Sequence, residues 1–152
     1  MTHDAQSAAR PGGDPATTGP FLHTFVVEDS QVILDNLVDT LEEMTPVWVV
    51  GRAADEASAL AELEQRGSEL DLVIVDVFLK AGSGLGVLRG ALRSKLSAPR
   101  VVLTNCASPD MRALCKSLGA DRVFDKSNEV EELLAYCWRL AERGAQAVNA
   151  ER

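Results

Sequence analysis

The sequence predicts an α/β domain in which a parallel five-stranded sheet carries helices on both faces. Three observations point there. Short β-prone runs alternate with longer segments whose apolar residues recur at helical spacing, and alternation of this kind produces parallel sheets covered on both sides. The run from Leu70 to Val75 is apolar except at Asp71, as expected of a central strand buried on both faces. The chain has 152 residues, 46% apolar and 25% charged, which suits one core and leaves little for a second domain.

The elements follow in order. Residues 1–21 are rich in Ala, Gly, Pro, Thr and Asp and bury too little surface to order themselves, so a disordered tail is expected there. His23 to Val27 is the first β-prone run. Leu34, Leu37, Val38, Leu41 and Met44 then mark a helix that Pro46 ends. Val47 to Val50 reads as a second strand, and Ala57, Leu60 and Leu63 as a second helix. After the central strand, Leu85, Leu88 and Leu92 give a third helix. Val101 to Leu103 form a fourth strand ending at Thr104. Ser108 and Pro109 fit an N-cap and first helical position; Met111, Leu114 and Leu118 line that helix, and Gly119 fits its C-terminal end. Arg122 to Phe124 is a fifth strand. Asn128 and Glu131 resemble a capping box before a stripe of Val130, Leu133, Leu134, Cys137, Leu140 and Ala141. A frayed C-terminus is expected over 144–152. The crossovers should be right-handed.

Composition excludes several classes. Net charge is −8 with no basic stripe, which argues against a nucleic-acid partner. Cys106, Cys115 and Cys137 are odd in number and widely spaced, suggesting neither a disulfide framework nor a zinc site. No apolar leader occupies the first twenty residues, and no run is long enough to span a membrane, so a cytoplasmic protein without membrane contact is expected.

In a parallel sheet, ligands bind beyond the carboxyl ends of the strands. Strand 1 ends in Glu28 and Asp29, strand 3 in Asp76 and strand 4 in Thr104; strand 5 is followed by Asp125 and Lys126. Singly, each has an ordinary reading as a loop starter, a helix precap, a β-former or a solvated lysine. Together they deliver polar groups to one edge, where the carboxylates would repel unless neutralised. A hard divalent cation such as Mg²⁺ does this with oxygen ligands. Asp76 ends the most apolar strand, and an Asp carboxylate can act as nucleophile and carry a phosphoryl group. A metal and Lys126 would offset charge on the phosphoryl oxygens, and the Thr104 hydroxyl could bond one of them.

At this point the chain resembles the receiver domain of two-component response regulators. The resemblance rests on Val26-Val27-Glu28-Asp29-Ser30, Leu72-Val73-Ile74-Val75-Asp76, Gly82-Ser83-Gly84-Leu85, Val101-Val102-Leu103-Thr104, Gly119-Ala120-Asp121 and Asp125-Lys126, and covers roughly residues 22 to 143. It implies a flavodoxin-like sheet in the order 2-1-3-4-5. It implies that Asp76 accepts phosphate from a sensor histidine kinase or histidine phosphotransfer protein. Glu28, Asp29, Asp76 and the backbone carbonyl of Phe78 would bind Mg²⁺, with Thr104 as switch hydroxyl and Lys126 as phosphate-pairing lysine. Val123 stands where the family often has a switch aromatic, with Phe124 next to it, and Ser127 where it often has proline. Phe78 and Cys106 occupy positions that tune dephosphorylation in the family, and a bulky Phe78 predicts a long-lived phosphoryl group.

The chain stops about nine residues after the predicted last helix, so a stand-alone receiver acting by protein contact is expected. Its downstream protein is unspecified, and a weak homodimer is a further expectation. Any catalysis would be self-phosphorylation from a phosphodonor and autodephosphorylation. Trp138 lies beside the core stripe of the last helix and reads first as a core-edge residue, second as a partner contact. A Mg²⁺-dependent phosphohydrolase with an aspartyl-phosphate intermediate is the alternative, but the haloacid dehalogenase type wants a second Asp where Phe78 stands. A nucleotide or flavin binder would want a glycine-rich turn after strand 1. The Gly82–Gly86 run follows strand 3 and reads as turn and helix entry. Nothing favours a receiver that signals without phosphorylation.

Overall fold

The computed structural model describes the backbone of residues 21–150 and the side chains of residues 21–145. Strands β1 (Leu22–Val27), β2 (Val47–Ala53), β3 (Leu72–Val75), β4 (Arg100–Thr104) and β5 (Arg122–Asp125) alternate with helices α1 (Gln31–Met44), α2 (Glu56–Arg66), α3 (Gly84–Arg93), α4 (Pro109–Ser117) and α5 (Val130–Ala150). The strands form one parallel sheet in the order β2-β1-β3-β4-β5, as the resemblance implies.

Local chemistry sets the helix starts. Ser30, Asp55, Ser83 and Ser108 cap α1 to α4, each side chain accepting a hydrogen bond from a backbone N–H in the first turn. A cap of this kind satisfies one of the donors a helix N-terminus leaves open. Pro109 takes the first position of α4, and Gly119 follows its C-cap with φ of +103°, a conformation natural to glycine. The capping box expected at Asn128 and Glu131 does not form. Helix α5 begins at Val130, and it is the Glu129 carboxylate that turns back to accept from the N–H of Asp125.

Strand side chains alternate between the faces with period two. Val26, Ile74, Val101, Leu103 and Phe124 point to one side, where they meet Leu34, Leu37, Val38 and Leu41 of α1 and Leu133, Tyr136 and Cys137 of α5. Burial pushes the Cys137 thiol up to about 12, so it behaves as a small hydrophobe. On the other side Phe25, Val27, Val73 and Val75 pack on Ala59, Leu63, Val87 and Ala91. A third cluster joins Val102 and Val123 to Leu88 and Cys115.

Some expectations are corrected. Ala59, Ala91 and Cys115 face the sheet, whereas Ala57, Leu92 and Leu114 are exposed, and Met44 is exposed at the end of α1. Of the leucines expected on these faces, Leu63 and Leu88 are buried with the small residues. The tail expected over 1–21 lies outside the described residues apart from Phe21, whose ring meets Trp48 edge-on at 5.9 Å. Helix α5 is assigned to Ala150, within the segment 144–152 for which fraying is expected; residues 151 and 152 lie outside the described set. Among the described residues every peptide bond is trans, including that between Lys126 and Ser127. No helix among them is long and apolar enough to cross a membrane.

Candidate phosphoryl and metal site

The sheet itself carries the site. The N–H of Glu28 donates to Ala53 on β2 at 3.0 Å, that of Asp76 to Val27 on β1 at 3.0 Å, and that of Lys126 to Thr104 on β4 at 2.9 Å. Each residue is thus held by a ladder bond at its strand's end, where the backbone is already fixed and only the side chain has freedom. Gly84 brings the start of α3 down on the same place, because a Cβ there would collide with the backbone carbonyl of Asp76.

Four predicted residues converge. Carboxylate oxygens of Glu28, Asp29 and Asp76 lie within 4.8 Å of one another. The Lys126 ammonium bridges two of them, donating to Glu28 Oε1 at 2.6 Å and to Asp76 Oδ2 at 2.9 Å. Glu28 is 3% exposed and Asp76 8%, so this charge balance is struck largely away from water. Burial is the strongest single influence on Lys126 and opposes its charge. The hydrogen bonds and attraction from Glu28 and Asp76 together outweigh it, so the ammonium titrates above its ordinary value.

Three of the four remaining oxygens have backbone partners. Glu28 Oε2 accepts from the N–H of Ser30 at 3.0 Å, Asp29 Oδ2 from that of Lys80 at 2.7 Å, and Asp76 Oδ1 from that of Phe78 at 3.3 Å. These bonds orient the carboxylates without neutralising them. One ammonium faces three carboxylates, and an all-oxygen donor set with excess negative charge fits a hard divalent cation.

Thr104 is fully buried, and its Oγ1 accepts from the N–H of Cys106 at 3.2 Å. Cys106 and Phe78 are exposed, Phe78 at 57%. Val123 is buried on the α3/α4 side, while Phe124 lies in the opposite core, edge-on to Tyr136 and under the Arg122 guanidinium at 5.0 Å. Phe124 and Val123 thus lie on opposite faces of the sheet. Asp125 is not among the clustered carboxylates; its Oδ1 accepts from the N–H of Ser127 at 2.7 Å and shapes the turn after Lys126. Trp138 is half exposed and donates from its indole to Met44 O at 2.9 Å, tying α5 to the end of α1. An open cavity of about 350 Å³ lies beside Lys126, lined by Ile33, Leu37, Leu103, Asn105 and Val130 among others.

The sequence reading missed Arg112. Its guanidinium donates to Ala107 O, Val123 O and Glu129 Oε1, each at 2.9 Å. It braces the loop after Thr104, strand β5 and the turn that carries Lys126. A signal existed: a cation near the positive N-terminal end of α4 is unfavourable unless another group holds it. The Arg112 hydrogen bond, followed by that from the Asp125 N–H, holds the Glu129 carboxyl below its usual range.

Residues 24–137 match the family described as response regulator receiver domain. The sensory transduction protein RegX3 of Mycolicibacterium smegmatis is 35% identical over 126 residues, covering 82% of this chain and 53% of that protein. The chain spans about half the length of the relatives it matches. Among solved structures, the response regulator domain of Thermotoga maritima CheB superposes with a TM-score of 0.71 at 17% identity, covering 81% of this chain and 98% of that one. A chain of the CheX–CheY–BeF3–Mg²⁺ complex of Borrelia burgdorferi gives 0.68 at 17% identity, covering 84% and 98%.

Two outcomes follow from this geometry. Without divalent cations, Asp29→Asn should be more stable than wild type by about 1–3 kcal/mol, the repulsion of one carboxylate pair at this spacing. Added Mg²⁺ should then raise the unfolding midpoint of wild type and much less that of the variant; thermal unfolding checks both. Glu129→Gln should be less stable than wild type at neutral pH. Because the folded pKa is depressed, that stabilisation is present above the ordinary carboxylate value, about 4.3, and is lost as pH falls through the folded value. Unfolding midpoints measured down an acid series should therefore converge.

Proposed function

The chain belongs to the response regulator receiver family, and from that membership we propose that it is a phosphorylation-dependent switch in which Asp76 accepts the phosphoryl group. The observation that carries this reading is the Lys126 ammonium held between Glu28 and Asp76, with the Asp29 carboxylate alongside. A carboxylate hydrogen-bonded to a lysine at a sheet edge suits a nucleophile whose product is a larger anion.

The donor is a phosphohistidine on a sensor kinase or phosphotransfer protein. An Asp76 oxygen forms the new P–O bond as the P–N bond breaks, and the electron pair leaves with the imidazole. Oδ1 has the longer of the two hydrogen bonds to Asp76 and is the less committed oxygen. Mg²⁺ held by Glu28, Asp29, Asp76 and the Phe78 carbonyl would supply charge neutralisation at the phosphoryl oxygens. Lys126 follows the charge outward from the carboxylate to the phosphoryl group. Thr104, released from the Cys106 N–H, turns its hydroxyl to another of those oxygens. The new group adds about −1.5 to −2 charge at neutral pH, and the response is a shift between two populated arrangements.

The same circuit suggests how the signal leaves. Cys106 and Ala107 follow Thr104, and Ala107 is bonded to Arg112, which also holds Val123 and Glu129. Motion of Thr104 and Lys126 therefore pulls on both ends of one hydrogen-bonded brace, and the α4–β5–α5 face is proposed to change for a partner protein. The phosphohydrolase reading is not favoured: Phe78 stands where that chemistry wants a second acid, and its side chain is exposed.

Incubation with a small phosphodonor and Mg²⁺ should add one phosphoryl group by mass. No gain, or an equal gain in Asp76→Asn, would overturn the reading. Phe78 at the mouth of the site should hinder attacking water, so Phe78→Ala should lose its phosphoryl group faster than wild type. A decay followed by phosphate release that is no faster in the variant would remove that role.

A further inference from the structure

The loop between β3 and α3 is held from outside the site by a residue with no assigned role. Glu56 opens α2, and its Oε1 accepts from the N–H of Ser83 at 2.9 Å, while its own N–H donates to Ala81 O at 3.2 Å. Ser83 forms an antiparallel bridge with Phe78, and Gly84 N–H donates to Val77 O at 2.8 Å. Phe78 in turn donates to Asp76 Oδ1. An unbroken chain of contacts thus runs from Glu56 through Ser83 and Phe78 to the carboxylate at the centre of the site.

The seam around Glu56 is built to receive it. Gly86 and Gly90, one turn apart on α3, face Glu56 and Leu60, one turn apart on α2. A Cβ at Gly86 would collide with the Glu56 carboxylate, and one at Gly82, where φ is +79°, with the Glu56 side chain. Two glycines therefore leave room for this one carboxylate. It also lies at the N-terminal end of α3, where the helix dipole favours negative charge.

We propose that Glu56 is a positioning residue for the metal-binding loop: its hydrogen bond to Ser83 fixes Phe78 and Asp76 in the arrangement that receives a divalent cation. The inference rests on the metal reading above. Elsewhere in loop 77–83, Val77 and Leu79 pack on the core and the Lys80 N–H is held by Asp29, whereas Ala81 and Gly82 are exposed and Glu56 supplies the bonds to Ala81 and Ser83 on either side of Gly82. Without the bond, the loop gains conformations in which the Phe78 backbone and the carboxylates no longer converge, and part of the binding energy goes to reordering it.

The test is Mg²⁺ titration of the full chain by calorimetry, with the Phe78 amide followed by NMR. Glu56→Ala should weaken Mg²⁺ binding roughly tenfold, in the range for residues that orient metal ligands, and should broaden or shift the Phe78 amide before metal is added. Glu56→Gln keeps an oxygen acceptor for Ser83 and should stay close to wild type. Gly86→Ala should also weaken binding by displacing the carboxylate, although alanine is the better helix former; it tests the idea even if Glu56→Ala folds poorly. Unchanged affinity in Glu56→Ala and Gly86→Ala overturns the proposal. So does Glu56→Gln falling as far as Glu56→Ala, which would make the effect one of net charge. Wild type that binds no Mg²⁺ overturns the metal reading and this inference together, whereas wild type that binds beside an indifferent Glu56→Ala removes this inference alone.

Discussion

Two carboxylates buried at the end of a parallel sheet are costly unless a cation answers them, because low dielectric strengthens their repulsion and removes their hydration. Here the Lys126 ammonium does so, at 2.6 Å from Glu28 and 2.9 Å from Asp76. The contact spans β1, β3 and the end of β5, and so needs the strand order that sets β1 beside β3 and returns β5 to the same edge. The fold supplies that order, and the ion pair makes the edge habitable. It also leaves the site incomplete, since a single ammonium among three carboxylates keeps an attraction for further positive charge. Stability and function thus pull in different directions at one point.

The sequence exposed this edge well. Glu28, Asp76 and Thr104 each close an apolar run, with Asp29 and Lys126 one polar residue further on, and a polar group ending a buried strand has little choice of direction. Strand identity was legible for the same reason, whereas the sheet order came from the family resemblance and not from the residues themselves. Helix faces were harder to read. In α2, α3 and α4 the leucines attract attention, and Leu63 and Leu88 are indeed buried, but so are the unremarked Ala59, Ala91 and Cys115, while Leu92 and Leu114 are exposed. A periodicity of leucines finds the helix but passes over the small side chains that share its close-packed face.

The residues that support the site were the least legible, and the reason is physical. Glu56, Arg112 and Glu129 act across distances of 27, 11 and 17 residues in sequence. Each is a charged residue on or beside a helix, where charge is ordinarily a solvated face. Only tertiary proximity gives them partners. The adjacent pair Val123 and Phe124 teaches the converse. Neighbours in a strand point to opposite faces, so Phe124 lies in the core opposite Val123.

Two braces therefore flank the carboxylates, and they differ in what they hold. On the α2–α3 side, Glu56 fixes the loop that follows Asp76, where a metal ligand set must stay ordered. On the α4–α5 side, Arg112 joins Ala107, Val123 and Glu129, where phosphoryl chemistry must be converted into movement. A brace of the first kind works best when it does not yield. One of the second kind must have two arrangements of similar energy, and a valine at 123 leaves that side without a ring whose rotation could provide them. The guanidinium, about one-third exposed, shares its donors among three elements there. With no ring at position 123, the readout proposed above rests on the hydrogen bonds that Arg112 makes to Ala107, Val123 and Glu129.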